Sequence, residues 1–409
     1  MVNKAFKFRL YPTEEQEILL SKHFGCRRFV YNYFLGKRTE EYLKNKKTMN
    51  YYACANELTK LKKTEEHEWL SEVNSQSLQS SLKDLDGAYG NFFKRQSKFP
   101  TFKKRNSRQS FRIPQFIKVE EGKIFFPKFK EGIEIVLHRP YEGEICYATV
   151  SRSTAGRYYV SLTCELEKIE PKNKIKTQIG IDLGLKDFLV ASDGMRIENP
   201  KFYRNNEKEI QFLNRQLSKK QKDSNRRKDA KLKLAKLHEF IKDSRTNFLQ
   251  QLSTKLINEN QVICLEDLNV KGMSQNHCLA KSIHDVSWSE FVRQLEYKAL
   301  WYGRELVKID RFFPSSKTCN HCGYINESLT LKDRTWKCKG CGKEIDRDLN
   351  ASLNILTQGL NIIKSGLGTK SDSKQKLVKP TKKFVYRLQK SKDALVAMKR
   401  ETQCPSDVG

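Results

Sequence analysis

Cys319-x-x-Cys322 and Cys338-x-x-Cys341 lie fifteen residues apart, the spacing with which two cysteine pairs close a tetrahedral thiolate shell around zinc. Gly323 and Gly342 follow the pairs as turn residues. With four thiolates and no open position, that zinc is structural. Carboxylates carry a second chemistry. Asp182 ends the apolar run Ile-Gly-Ile-Asp, Glu266 ends Val-Ile-Cys-Leu-Glu, and Asp346 and Asp348 follow the last cysteine within a few residues. Such oxygens suit Mg²⁺ rather than zinc. Several together can hold two ions a few ångströms apart, one activating a water and one stabilising the leaving oxygen of a phosphodiester. Any one acid after an apolar strand is ordinarily a turn residue or a helix cap. Three in so basic a chain point to a shared site. Asp346 suits the cap of the last helix and Asp348 its first turn, and spacing alone leaves the choice of ligand open. His277, Cys278 and His284 flank a glycine loop and read as ordinary polar residues.

The elements that must position these residues follow from periodicity. Residues 4–10 alternate as a strand, and Thr13 with Gln16 has the capping-box arrangement that opens a helix. Apolar residues then recur at three and four spacing to Phe93, which gives three or four helices in a bundle. From residue 98 the period becomes two, with strands at 124–126, 133–137, 146–150 and 158–164 and a hairpin turn at Ala155-Gly156. Together with the first strand they make a β-barrel into which the bundle is inserted, an architecture that often presents a nucleic-acid-binding face. After Pro171 the pattern is α/β: strands at 178–184 and 188–192, a basic helical hairpin at 206–258 broken near Asp223, a strand at 261–268, a polar loop at 271–278, an amphipathic helix at 288–303, a strand at 307–309, the cysteine segment, and a last helix from Arg347 to about Leu356. Strand ends of such a sheet converge on one edge, where a packed helix can add a third carboxylate. Beyond Gly359 the chain is Lys/Ser-rich and is expected to be disordered.

The whole is strongly basic. A chain of 409 residues with 78 Lys plus Arg against 48 Asp plus Glu carries a formal charge of +30, which calls for a polyanionic partner, RNA or DNA. No apolar run approaches the roughly 18 residues that span a bilayer, and the N-terminus lacks the apolar core of a signal peptide. A cytoplasmic protein with no membrane partner is expected, its seven other cysteines reduced. Gln76, Gln79, Ser80 and Lys83 share one helix face at three and four spacing, and glutamine amides suit adenine edges. Lys103, Lys104, Arg105, Arg108 and Gln109, with Phe102 and Phe111 alongside, suit phosphate and base contacts. Arg226 and Arg227 belong to the dense basic run on the helical hairpin.

Ile-Gly-Ile-Asp182-Leu-Gly-Leu-Lys, Val-Ile-Cys-Leu-Glu266-Asp-Leu-Asn-Val-Lys-Gly and Cys-Gly-Lys-Glu-Ile-Asp-Arg-Asp348-Leu-Asn-Ala-Ser, with the CxxC pairs just before, resemble the split RuvC domain of the TnpB family. These are transposon-associated RNA-guided DNA nucleases, similar to the compact type V CRISPR effectors. The resemblance runs to about residue 360. It implies an OB-like wedge barrel (1–12 and 98–170) with an inserted helical recognition domain (13–97), then an RNase H-like RuvC domain (171–312 and 343–359) interrupted by a zinc ribbon (313–342), and a basic tail (360–409). It further implies Asp182, Glu266 and Asp348 as Mg²⁺ ligands of a two-metal site, Asp348 being chosen over Asp346 by the Asp-x-Asn-Ala pattern. Guide RNA and double-stranded DNA beside a short flanking motif would be the partners, with one protein copy per RNA, and Tyr52 with the Gln76 face would read that motif. Guided repressors that lose these acids and DNA-strand transferases are the rival classes. All three acids are present, and no paired-histidine nucleophile site is.

Overall fold

Val2–Tyr11 (β1) alternates along its length, with Phe6, Phe8 and Leu10 inward. Thr13 then caps α1 (Glu14–Asn45) with the expected box, the Gln16 amide donating to Thr13 Oγ1 (3.4 Å) and the Thr13 amide to Gln16 Oε1 (3.1 Å). α2 (Tyr51–Leu61) and α3 (Ser75–Phe93) follow, with a 3-10 turn at Glu65–Ser71 between them. Six strands come next: β2 (Gln109–Ile113), β3 (Lys118–Glu120), β4 (Lys123–Phe126), β5 (Phe129–Val136), β6 (Glu144–Arg152) and β7 (Tyr158–Leu166). β1 is central to their antiparallel sheet, whose order is β2-β6-β7-β1-β5-β4-β3. Leu20 and Phe24 of α1 enter the sheet core, while Val30, Phe34 and Leu35 of the same helix build the core of the helical bundle. The expected barrel is thus a seven-stranded sheet, and among the described residues no pairing joins its outer strands β2 and β3.

This computed structural model describes residues 2–167, 171–330 and 332–365, which divide into two compact units, 2–167 and 171–365. The second unit begins with β8 (Gln178–Leu183), β9 (Asp187–Ala191) and β10 (Arg196–Glu198). The helical hairpin is α4 (Phe202–Asn205), α5 (Glu207–Ser218) and α6 (Asn225–Glu259), broken where expected. β11 (Val262–Glu266) is followed by α7 (Val270–Met273), α8 (His277–Val286), α9 (Trp288–Tyr302) and β12 (Glu305–Ile309). The segment expected as a polar loop therefore contains a helical turn. A two-stranded ribbon, β13 (Thr335–Lys337) with β14 (Glu344–Asp346), leads directly into α10 (Arg347–Lys364).

The sheet of this unit has the order β10-β9-β8-β11-β12, with β8, β11 and β12 parallel and β9 and β10 antiparallel to their neighbours. It buries both faces. Ile179, Ile181, Ile263 and Leu265 pack with α6 and α9 on one side, and Cys264 and Val307 pack against Ile355 of α10 on the other. α10 runs past the expected end near Leu356, because Leu360, Ile362 and Ile363 extend its apolar contact with that second core. The rest of the segment expected to be a disordered tail lies outside the described residues. Among the described residues no helix is long and apolar enough to cross a membrane.

Candidate active site

β8 and β11 are registered from Val262↔Gln178 to Leu265↔Ile181, so the next step along both strands sets Asp182 beside Glu266. Neighbouring strands lie about 4.8 Å apart. Because side chains alternate between faces, both acids share the face of Gly180 and Cys264. That face carries α10 at unusually short range. A Cβ on Gly180 would lie 2.1 Å from the Ser352 carbonyl oxygen, and one on Gly359 would lie 2.3 Å from Cys264 Sγ. Two glycines thus let the helix settle onto the strands and carry Asp348, in its first turn, toward their ends.

The charges of Glu266 and Asp348 both act on Asp182. Burial above all, together with the charges of Glu266 and Asp348 and against those of Arg347 and Arg334, raises the Asp182 carboxyl to about 7. Burial also raises Glu266, against a hydrogen bond that its Oε1 accepts from the Ser315 hydroxyl. Asp348 accepts from Arg347 Nε (3.0 Å) and Nη2 (2.9 Å) and from Arg334 Nη1 (3.1 Å). Asp346 is committed elsewhere. It accepts from the Leu349 amide (2.9 Å) as the N-cap of α10 and pairs with Arg196 Nη2 (2.8 Å). Burial would raise its carboxyl, but the Leu349 amide and Arg196 outweigh that and hold it below the usual range. Hard oxygen donors that repel one another in a desolvated cluster fit divalent cations.

The four cysteines converge as their spacing requires. Their sulfurs lie within 4.8 Å of one another, with Cys319 Sγ 3.8 Å from Cys341 Sγ and Cys322 Sγ 3.5 Å from Cys338 Sγ. A tetrahedron with Zn–S bonds of about 2.3 Å has edges of about 3.8 Å, so the group fits zinc. Both pairs use one local design. The Gly323 amide donates to the Cys319 carbonyl (2.9 Å) and the Gly342 amide to that of Cys338 (2.8 Å), at φ of 77° and 75° that favour glycine. Apart from the sulfurs, the core here is little more than Trp336 with Leu329 and Ile345.

The ribbon is fastened to α10 by residues that pattern reasoning missed. Asn350 Nδ2 donates to the Thr318 carbonyl (2.7 Å), and Asn354 Nδ2 to the carbonyls of Ser315 (2.7 Å) and Thr318 (2.6 Å). Asn320 returns two bonds, from its amide to Asn350 Oδ1 (2.9 Å) and from Nδ2 to Asn354 Oδ1 (3.1 Å). Ser315 therefore touches both Glu266 and the helix of Asp348. A legible signal existed: two asparagines at i, i+4 on the apolar stripe of an amphipathic helix, where burial demands partners. Arg334 and Arg347 gave none in a chain with 78 basic residues.

Comparison with known proteins places this architecture. Residues 161–277 match a family model described as "Probable transposase" and residues 288–355 one described as "Cas12f1-like, TNB domain". A protein of Streptomyces pristinaespiralis named "Putative RNA-guided DNA endonuclease" is 44% identical over 88% of this chain and 90% of its own. The chain belongs to the TnpB family of RNA-guided DNA endonucleases. An Escherichia coli member with the same description is 33% identical over 89% of this chain and 94% of its own. The protein in a Cas12f1–sgRNA–target DNA complex shares the fold, with a TM-score of 0.52 and 16% identity over 87% of this chain and 98% of that one. Residues 1–47 match a model described as a helix-turn-helix domain, yet they fold as β1 and the single long helix α1.

The nucleic-acid residues expected from sequence fare unevenly within their own units. In 2–167, Tyr52 is 73% exposed, and Gln79 and Lys83 face solvent, with Lys83 Nζ 5.7 Å from the Tyr51 ring centre. Gln76 is half-buried, donating to Gln115 Oε1 (3.0 Å). Ser80 departs from the expectation: it is 5% exposed, one of the small residues with which α3 packs among its neighbours. Lys104, Arg105 and Arg108 are exposed. Lys103 is half-buried over the Tyr31 ring (4.2 Å), where burial lowers its pKa, and its amide is held by Asn32 (2.8 Å). Gln109 opens β2 and donates to the Arg105 carbonyl (3.2 Å). In 171–365, Arg226 is exposed, but Arg227 donates to the Leu217 (2.8 Å) and Lys220 (3.0 Å) carbonyls and so caps the end of α5.

Proposed function

We propose that this protein is a transposon-encoded nuclease that cuts double-stranded DNA at sites chosen by a bound guide RNA, beside a short flanking motif. One observation supports the chemistry: the strand register sets Asp182 beside Glu266, and the charges of Glu266 and Asp348 both raise the proton affinity of Asp182. In these terms residues 171–312 and 343–359 are an RNase H-like RuvC domain and 313–342 its zinc ribbon. The antiparallel sheet is the OB-like wedge, and the helices of 13–97 are the recognition domain. Relatives named RNA-guided DNA endonucleases support RNA and DNA as the partners.

The three carboxylates would hold two Mg²⁺ ions, which supply an activated water and stabilisation of the leaving oxygen. The chain's own residues fix that donor set. Ser315 orients Glu266, and Arg334 and Arg347 hold Asp348 in place while tempering the mutual repulsion of the acids. Protein purified from cells carrying the whole element is expected to retain an RNA with a segment complementary to the DNA it cuts. Digesting that RNA before adding Mg²⁺ and DNA should abolish cutting; undiminished cutting by RNA-free protein would overturn the proposal.

A further inference from the structure

A cavity of about 370 Å³ opens on the same unit as the acids, lined by Lys186, Lys201, Arg204 and Arg334 together with Asn199 and Asp285. Four cations meet one carboxylate there, and that carboxylate is already consumed. Asp285, 6% exposed, accepts from the Tyr203 amide (2.9 Å), the Arg204 amide (3.3 Å) and Arg245 Nη2 (2.9 Å). Its charge is spent on fixing the chain beneath the cavity rather than on neutralising the rim. The rim itself is built. Arg204 Nη2 is held by Ser282 Oγ (2.9 Å), and Asn199 Nδ2 donates to the Leu185 carbonyl (2.8 Å) while its Oδ1 accepts from the Lys201 amide (3.1 Å). Lys201 has a left-handed backbone (φ 48°).

The cavity borders on Asp348 through one shared residue. Arg334 lines it and also donates to Asp348 (3.1 Å), so one guanidinium is the wall between the two. Excess positive charge beside a cluster of carboxylates has no use for the carboxylates' own cations. It suits an anion that must lie next to them, and a nucleic-acid strand entering the site carries such an anion at every nucleotide. We propose that this cavity seats a backbone phosphate of the DNA strand being cut, neighbouring the scissile one, with Lys186 and Lys201 as its principal charge contacts. The inference rests on the nuclease reading above and specifies how that site grips its substrate: it would set which phosphodiester comes to lie over the acids.

Target strands carrying one neutral methylphosphonate at successive positions around the cut, offered to the protein with its RNA, test this. The parent should lose roughly tenfold in single-turnover rate at one position near the scissile bond, the cost of a lost charge-assisted contact. The Lys186→Gln/Lys201→Gln variant should be slower on unmodified DNA by a similar factor and lose nothing further at that position, while retaining its RNA and its thermal midpoint. Equal sensitivity of parent and variant at every position would overturn the proposal. So would loss of RNA retention in the variant, which would assign the cavity to the guide. Failure of the parent to cut unmodified DNA would instead overturn the nuclease reading itself.

Discussion

Asp346 and Asp348 are two residues apart, and the helix start divides their labour. Asp346 spends both oxygens on the Leu349 amide and Arg196, whereas Asp348 caps no backbone amide and is paired with the guanidinium groups of Arg334 and Arg347. Asp346→Ala should therefore cost about 1 kcal/mol of stability, as a lost N-cap does, and leave most cleavage intact. Asp348→Ala should abolish cleavage with little change in melting; thermal melts paired with cleavage assays of both variants decide. His23 supplies a pH test in the other unit. It is buried, takes the Asn74 amide on Nε2 (3.2 Å) and sits 2.8 Å from the Leu19 carbonyl through Nδ1, an arrangement that requires the neutral ring. Burial lowers its pKa from 6.5 to about 4, so between those values the unfolded chain binds more protons than the folded one. Its contribution, on the order of 3 kcal/mol, is complete above pH 6.5, declines as pH falls and is gone below about 4. Urea unfolding of residues 2–167 should show that loss, and His23→Gln should flatten it. At this scale the sequence reveals acids by their strand context, but it cannot show that Ser80 is packed away or that Arg227 is a cap. Helical spacing gives a face without saying what lies against it.

Between the cysteine cluster and Asp348 there is a continuous mechanical path. Cys338 directly follows β13, the β13–β14 hairpin runs into α10, the Arg347 amide donates to the Arg334 carbonyl (2.8 Å), and Asn350 and Asn354 clamp the first knuckle to the helix. So small a core has little else to hold it, and metal binding there is folding free energy. Cys338→Ser should remove the one zinc per chain measured by elemental analysis and lower cleavage at least a hundredfold, while the unit at 2–167 melts as before. Asn350→Ala is expected to keep the zinc yet slow cleavage, which separates positioning of Asp348 from metal loss. Element types and order were legible because period two and period 3.6 are strong in this chain, as the Thr13 box and the break before α6 show. The extent of α10 was not. Its last turn is amphipathic only with respect to a sheet core that no local window contains, and the close approach at Gly180 depends on a residue far along the chain.

Across the whole molecule, a formal charge of +30 repels itself strongly unless it meets a polyanion. Exposed cations such as Lys104, Arg105, Arg108 and Arg226 make phosphate contacts the expected source of affinity. RNA retention should fall steeply with salt, and each substitution of Lys104, Arg105 or Arg108 by alanine should reduce the log–log slope by about one if it contacts a phosphate. Charge and motif order announced the partner class in the sequence. They could not announce the basic cavity beside the acids, because Lys186, Lys201, Arg204 and Arg334 are brought together only by the fold of residues 171–365. Cutting of DNA by this protein should need both its RNA and its carboxylates. The most direct test is linearisation of a plasmid carrying the matched sequence and flanking motif, in Mg²⁺, by the RNA-bound parent and by the RNA-bound Asp182→Ala variant. Linear product from the parent and none from the variant is the result expected; equal cutting by both would contradict it.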